Sequence, residues 1–191
     1  MIALIYNIII YIFFLYIMKY KPNLSLLPLM MLPLPCSPNE FPSISCIISK
    51  YEMGKLYVGS LEDSFNKELL NDKEITKIIR VYDKPNSLDI FEDIEYVNIP
   101  IEDHPDADIQ DYFDKTFKEI DKSLSIQENV LIHCRMGISR APAIATAYLI
   151  RKLKTPSSDA IEMVTMARRC TDMNLGFILS LNDYAKDVLS E

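Results

Sequence analysis

The sequence has few residues of the kind that bind metals in sets. It contains four cysteines and two histidines. Cys36, Cys46, Cys134 and Cys170 fall at no spacing used by a structural zinc site, so no metal is expected. Four dispersed cysteines in 191 residues also exclude a dense disulfide framework. They point to free thiols in a reducing compartment. Basic charge is scarce as well. Twenty basic side chains face 27 acidic ones, for a formal net charge of -7, and no basic stripe interrupts the acidic background. This argues against nucleic acid or an anionic membrane surface as the main partner. No segment repeats another.

The charges that exist are unevenly placed. Before Lys50 there are only Lys19, Lys21 and Glu40. The apolar run Met1–Met18 is broken only by Asn7 and has nothing basic before it, which weighs against a secretory signal. As a helix it would span about 27 Å, just short of a bilayer core of about 30 Å. Residues 1–21 therefore read either as a membrane anchor, with Lys19 and Lys21 keeping the C-terminal domain in the cytosol, or as translated non-coding sequence ahead of a later start such as Met18, Met30, Met31 or Met53. Six prolines between Pro22 and Pro42 leave room for few helices or central strands, and 22–50 reads as a linker. One compact domain is expected over 51–191, beginning near Gly54. The patterning predicts strands at Lys55–Val58, Ile75–Val81, Glu95–Ile99 and Val130–Ile132. It predicts helices at Leu61–Leu70, Tyr112–Leu124 and about 139–152, 157–169 and 175–189. Alternating strands and helices imply an α/β domain with a mostly parallel central sheet flanked by helices.

Chemistry concentrates at Val130–Arg140. A buried strand ends at His133, five residues separate Cys134 from Arg140, and a helix begins at once, with Pro142 in its first turn. That helix continues apolar on nearly every side, which marks it as buried. A loop between a strand end and a helix N-terminus turns backbone N–H groups inward and makes an anion nest. Gly137 permits a conformation that a side chain would hinder. The same N–H groups favour a thiolate at Cys134, and the Arg140 fork can grip two oxygens of a phosphate. Thiolate, oxyanion cradle and fixed cation are the parts needed for in-line attack on phosphorus. An isolated buried cysteine would read as core, but Cys, Gly and Arg at these offsets do not.

The segment His133-Cys134-Arg135-Met136-Gly137-Ile138-Ser139-Arg140 resembles the His-Cys-x5-Arg signature of the protein tyrosine phosphatase superfamily. Ser139-Arg140 followed by Ala147-Tyr148-Leu149 looks like the dual-specificity branch, and the short domain like its small atypical members. Leu56-Tyr57-Val58-Gly59, Tyr96-Val97-Asn98-Ile99-Pro100, Asn174 and Phe177 extend the resemblance over nearly all of 54–189. It implies a dual-specificity-phosphatase-like fold and a phosphoprotein substrate, with no metal or organic cofactor. Cys134 would be nucleophile, and residues 135–140 (Arg135, Met136, Gly137, Ile138, Ser139, Arg140) would bind phosphate. His133 would orient Cys134 and favour its thiolate. Asn174 resembles a family asparagine that helps hold the active-site loop; its residue type would serve equally as a helix cap.

A poor leaving group needs a proton. The loop after Pro100 offers Glu102, Asp103, Asp106 and Asp108, and residue type does not choose among them. In the family the acid lies ten residues before a helix phenylalanine. Counting back from Phe113, the resemblance implies Asp103, with Asp106 next; His104 reads as a surface residue. One departure stands out. Most family members carry Ser or Thr after the signature arginine, to stabilise the leaving thiolate, whereas here the residue is Ala141, as in the phosphatases of regenerating liver. Phosphoprotein dephosphorylation is thus expected. The alternatives are an RNA or nucleotide 5′-phosphatase, a lipid phosphatase, or an inactive phosphoprotein-binding module.

Overall fold

The computed structural model describes residues 43–49, 53–83 and 91–190. Strands β1 (Ile44–Ile48), β2 (Leu56–Gly59), β3 (Ile75–Val81), β4 (Glu95–Ile99) and β5 (Asn129–His133) form one sheet in the order β1-β2-β5-β3-β4. Only β1 runs antiparallel to its neighbour. The helices are α1 (Leu61–Phe65), α2 (Lys67–Asp72), α3 (Phe113–Ser125), α4 (Arg140–Leu153), α5 (Ser157–Ala167) and α6 (Leu175–Ser190). The expected α/β architecture is present.

β5 is buried at every position because the sheet is covered on both faces. On one side α1 and α2 close a core of Tyr57, Leu70, Ile75, Ile78, Ile94 and Leu131. On the other, α4 lies against β5 and β2 and is surrounded by α3, α5 and α6. Every residue of α4 from Arg140 to Ile150 is buried, as its apolar sequence requires. Lys77 is fully buried on β3. It keeps its charge by reaching Glu119 at 2.9 Å and Glu95 at 3.3 Å, which hold its ammonium above its usual range against the cost of burial.

Three expectations need correction. The linker over 22–50 does not hold for Ile44–Ile48. Past the last proline the chain can donate hydrogen bonds again, and its residues alternate half-buried and buried along the edge of β2. The folded unit therefore starts before Gly54. The single helix at Leu61–Leu70 is two helices, because the Asn66 side chain accepts the Leu69 N–H at 3.0 Å and caps a new start. The helix expected to run to 169 ends at Ala167, where Arg168 leaves the helical conformation. The apolar run 1–18 and the prolines 22–42 lie outside the described residues. Among those described, no helix is long and apolar enough to cross a membrane.

Candidate active site

The strand register pairs both Gly59 and Arg80 with His133. β2, β5 and β3 therefore end level, and the loops that follow them open on one edge of the sheet together with the loop after β4. That edge is where open parallel sheets bind ligands.

Residues 134–139 form the loop from β5 to α4. Their carbonyl groups are drawn outward one after another. Arg135 O accepts the Leu61 N–H at 3.0 Å, and Ile138 O accepts the Asp172 N–H at 2.9 Å. Met136 O and Gly137 O take the Arg168 guanidinium, at 3.5 and 2.6 Å. A trans peptide points its N–H opposite to its C=O, so anchoring these carbonyls turns the amides of 136–139 inward. The Gly137 N–H accordingly donates to Cys134 Sγ at 3.2 Å. Gly137 has φ +68, and a Cβ there would lie 2.5 Å from Gly59 O. Only glycine fits this turn. The first turn of α4 adds its own orphan N–H groups to the cradle.

Arg140 is 5% exposed. Its Nη1 donates to Asp83 Oδ1 at 3.1 Å and to Ile101 O at 3.2 Å, and its guanidinium faces the Tyr82 ring at 5.3 Å. Its buried Nε has no hydrogen bond and lies 3.5 Å from Asp103 Oδ2. The fork is thus locked on one side and keeps a donor for an anion on the other.

Asp103 hangs over the cradle. Its Oδ1 accepts Ser139 Oγ–H at 2.7 Å and Asn174 Nδ2–H at 2.9 Å. Asn174 Oδ1 meanwhile accepts the Phe177 N–H at 2.9 Å, so the residue both caps α6 and tethers the loop. Asp106 is 91% exposed and its backbone N–H donates to His104 Nδ1 at 3.2 Å; Asp108 accepts the Gln110 N–H. A cavity of about 490 Å³ gathers Asp103, Cys134, Arg135, Met136, Ile138, Ser139, Arg140 and Asn174. Glu102, Asp106 and Asp108 do not line it. His133 lies beneath, its Nδ1 3.1 Å from Cys134 O. Burial first, then Arg80 and Arg140, push the imidazole down to about 4. It is therefore neutral near pH 7 and donates from Nδ1.

The family model described as "Dual specificity phosphatase, catalytic domain" matches residues 56–187. The chain belongs to the dual specificity phosphatases. A Dictyostelium discoideum relative named a probable dual specificity protein phosphatase is 36% identical over 152 residues, 74% of this chain and 66% of the relative. Human dual specificity protein phosphatase 9 is 34% identical over 71% of this chain and 36% of its own length. The chain thus spans about two thirds of the first relative and about a third of the second. The crystal structure of DUSP15 superposes with a TM-score of 0.66 at 27% identity, covering 72% of this chain and 92% of that one.

In this phosphatase domain some residues that shape the site carry no local sequence signal. Asp83, from the loop after β3, secures Arg140. Arg168, 1% exposed, ties the cradle to Val58 O at 3.4 Å and Ser45 Oγ at 3.5 Å. Asp172 and Met173 form part of the cavity wall. A charged residue at the end of an amphipathic helix, as Arg168 is, reads as solvated until the fold brings the loop against it.

Proposed function

We propose that this dual specificity phosphatase hydrolyses phosphotyrosine, phosphoserine and phosphothreonine in proteins through a cysteinyl-phosphate. One observation carries the reading: a cysteine sulfur, an inward-turned amide cradle, a half-free guanidinium and a tethered carboxyl converge on one cavity. The phosphoryl oxygens take the amides of 136–139 and Arg140 Nε. Cys134 Sγ attacks phosphorus, the ester P–O bond breaks, and Asp103 gives its proton to the departing oxygen. Asp103 then accepts a proton from water, which attacks phosphorus. The S–P bond breaks, releasing inorganic phosphate and the Cys134 thiolate. The cradle amides and Arg140 stabilise the charge that builds on the equatorial oxygens in both steps. The nucleophile must stay reduced. Cys46 and Cys134 are free thiols, which supports a reducing compartment such as the cytosol.

The test is side-by-side turnover of phosphotyrosyl, phosphoseryl and phosphothreonyl peptides, phosphoinositides and 5′-triphosphate RNA, with acid-quenched mass spectrometry on Cys134. Peptide turnover with phosphate trapped on Cys134 is expected. Preferential turnover of the lipid or the RNA, or phosphate on no cysteine, would overturn the reading.

A further inference from the structure

The segment that carries Asp103 lies along a single stripe of α6. A Cβ at Gly176 would stand 1.8 Å from Pro105 O and 2.5 Å from Pro105 C. Four residues along the helix, Ser180 O accepts Gln110 Nε2–H at 3.0 Å. Four further on, the Tyr184 ring meets Phe113 edge-on at 4.9 Å. Residues 176, 180 and 184 share one helix face, and 105, 110 and 113 meet it in order. Asn174, two residues before Gly176, holds Asp103, two residues before Pro105.

The contact at Gly176 is with main chain, so no rotamer change relieves it. For any side chain to fit, the loop would retreat by about 1.2 Å to reach the 3.0 Å limit of real Cβ contacts. Asp103 would move with it, away from a proton transfer that needs an approach of about 3 Å.

We propose that Gly176 is a positioning residue for the general acid: its missing side chain lets the 101–109 loop seat against α6 so that Asp103 overhangs Cys134. The proposal rests on Asp103 being the acid.

Gly176→Ala in the full chain should lower kcat/KM for phenyl phosphate by about tenfold to a hundredfold. It should leave an aryl phosphate with an activated leaving group within about threefold, since that phenolate departs without a proton. The alkaline limb of the pH profile, which reports loss of the acid's proton, should flatten. In an Asp103→Ala background the same substitution should have no further effect. Gln110→Ala should show the same leaving-group signature at smaller amplitude, and it stands in should Gly176→Ala not fold. Equal losses on both substrates, no loss on either, or an additive loss in the Asp103→Ala background would overturn the proposal. If Asp103→Ala itself spares phenyl phosphate, the acid assignment falls and this proposal with it. If Asp103→Ala shows the signature and neither Gly176→Ala nor Gln110→Ala does, only the positioning role falls.

Discussion

Ala141 sits fully buried one residue past Arg140, the position at which the family resemblance implies a hydroxyl for the leaving thiolate. Ser139 does not substitute for it. Its Oγ donates to Asp103 and accepts the Asn174 N–H at 3.3 Å, so it is engaged on the acid side of the cavity. A hydrogen bond to a charged acceptor is worth about 1.5–3 kcal/mol, or roughly one to two powers of ten in rate. Breakdown of the cysteinyl-phosphate is therefore expected to limit turnover. Rapid mixing should show a burst of product, and Ala141→Ser should raise the steady rate; no burst and no gain together would sink the idea. At the proposed nucleophile, Cys134→Ser should drop turnover below about a tenth, because a serine is not ionised near neutral pH. Inorganic phosphate should still bind, since the cradle is main chain plus Arg140. Calorimetry on the variant checks this, and residual turnover above that level would refute the nucleophile assignment.

At the scale of elements, the informative piece is β1. It completes one edge of the sheet, buries Ile47 to 6% exposure and places Ser45 beside Arg168. A chain beginning at Met53 would expose the edge of β2 and the face of α5 that packs on β1. Burying one Ile contributes about 1.5–3 kcal/mol, so that truncation should lower the thermal midpoint by several degrees relative to a chain beginning at Ser43. The longer form should keep full turnover, because every residue given a step in the proposed chemistry lies within it. Equal midpoints would mean that β1 contributes little. The start of α1 serves the site as well. The capping box of Ser60 and Asp63, with Ser60 N 2.6 Å from Asp63 Oδ2, holds the turn that offers the Leu61 N–H to the cradle.

For the molecule as a whole, stability is tied to a histidine that the active-site strand keeps neutral. His133 is 1% exposed, and its pKa is pushed down from 6.5 to about 4. The unfolded chain takes up a proton near 6.5, while the folded one does not until about 4. The contribution is complete above the unfolded value and is lost as pH falls through that window, up to about 3 kcal/mol. Urea unfolding of wild type and His133→Gln at pH 7.5 and 4.5 measures it. The wild type should lose about 2–3 kcal/mol more than the variant, and parallel losses would place the acid sensitivity elsewhere.

The amino-acid sequence by itself determined the parts written in consecutive residues. The cradle lies within His133–Arg140, between a strand and a helix whose apolar composition marks them as buried, and the order of strands and helices is enough for the α/β class. Other parts depend on segments far apart in the chain. Arg168 reaches Gly137 across 31 residues and Ser45 across 123, and Asp83 reaches Arg140 across 57. No periodicity or motif encodes such contacts, because a charged side chain reads as solvated until packing removes its water. Among the four carboxylates of the acid loop, residue type was silent and the family resemblance implied Asp103. What brings it over the cavity is the close approach of Pro105 to Gly176, a contact available only where α6 lacks a side chain. β1 was hidden for a related reason. Five residues after a run of prolines carry a weak strand signal, and only the open edge of β2 supplies the hydrogen-bond partners that make them a strand.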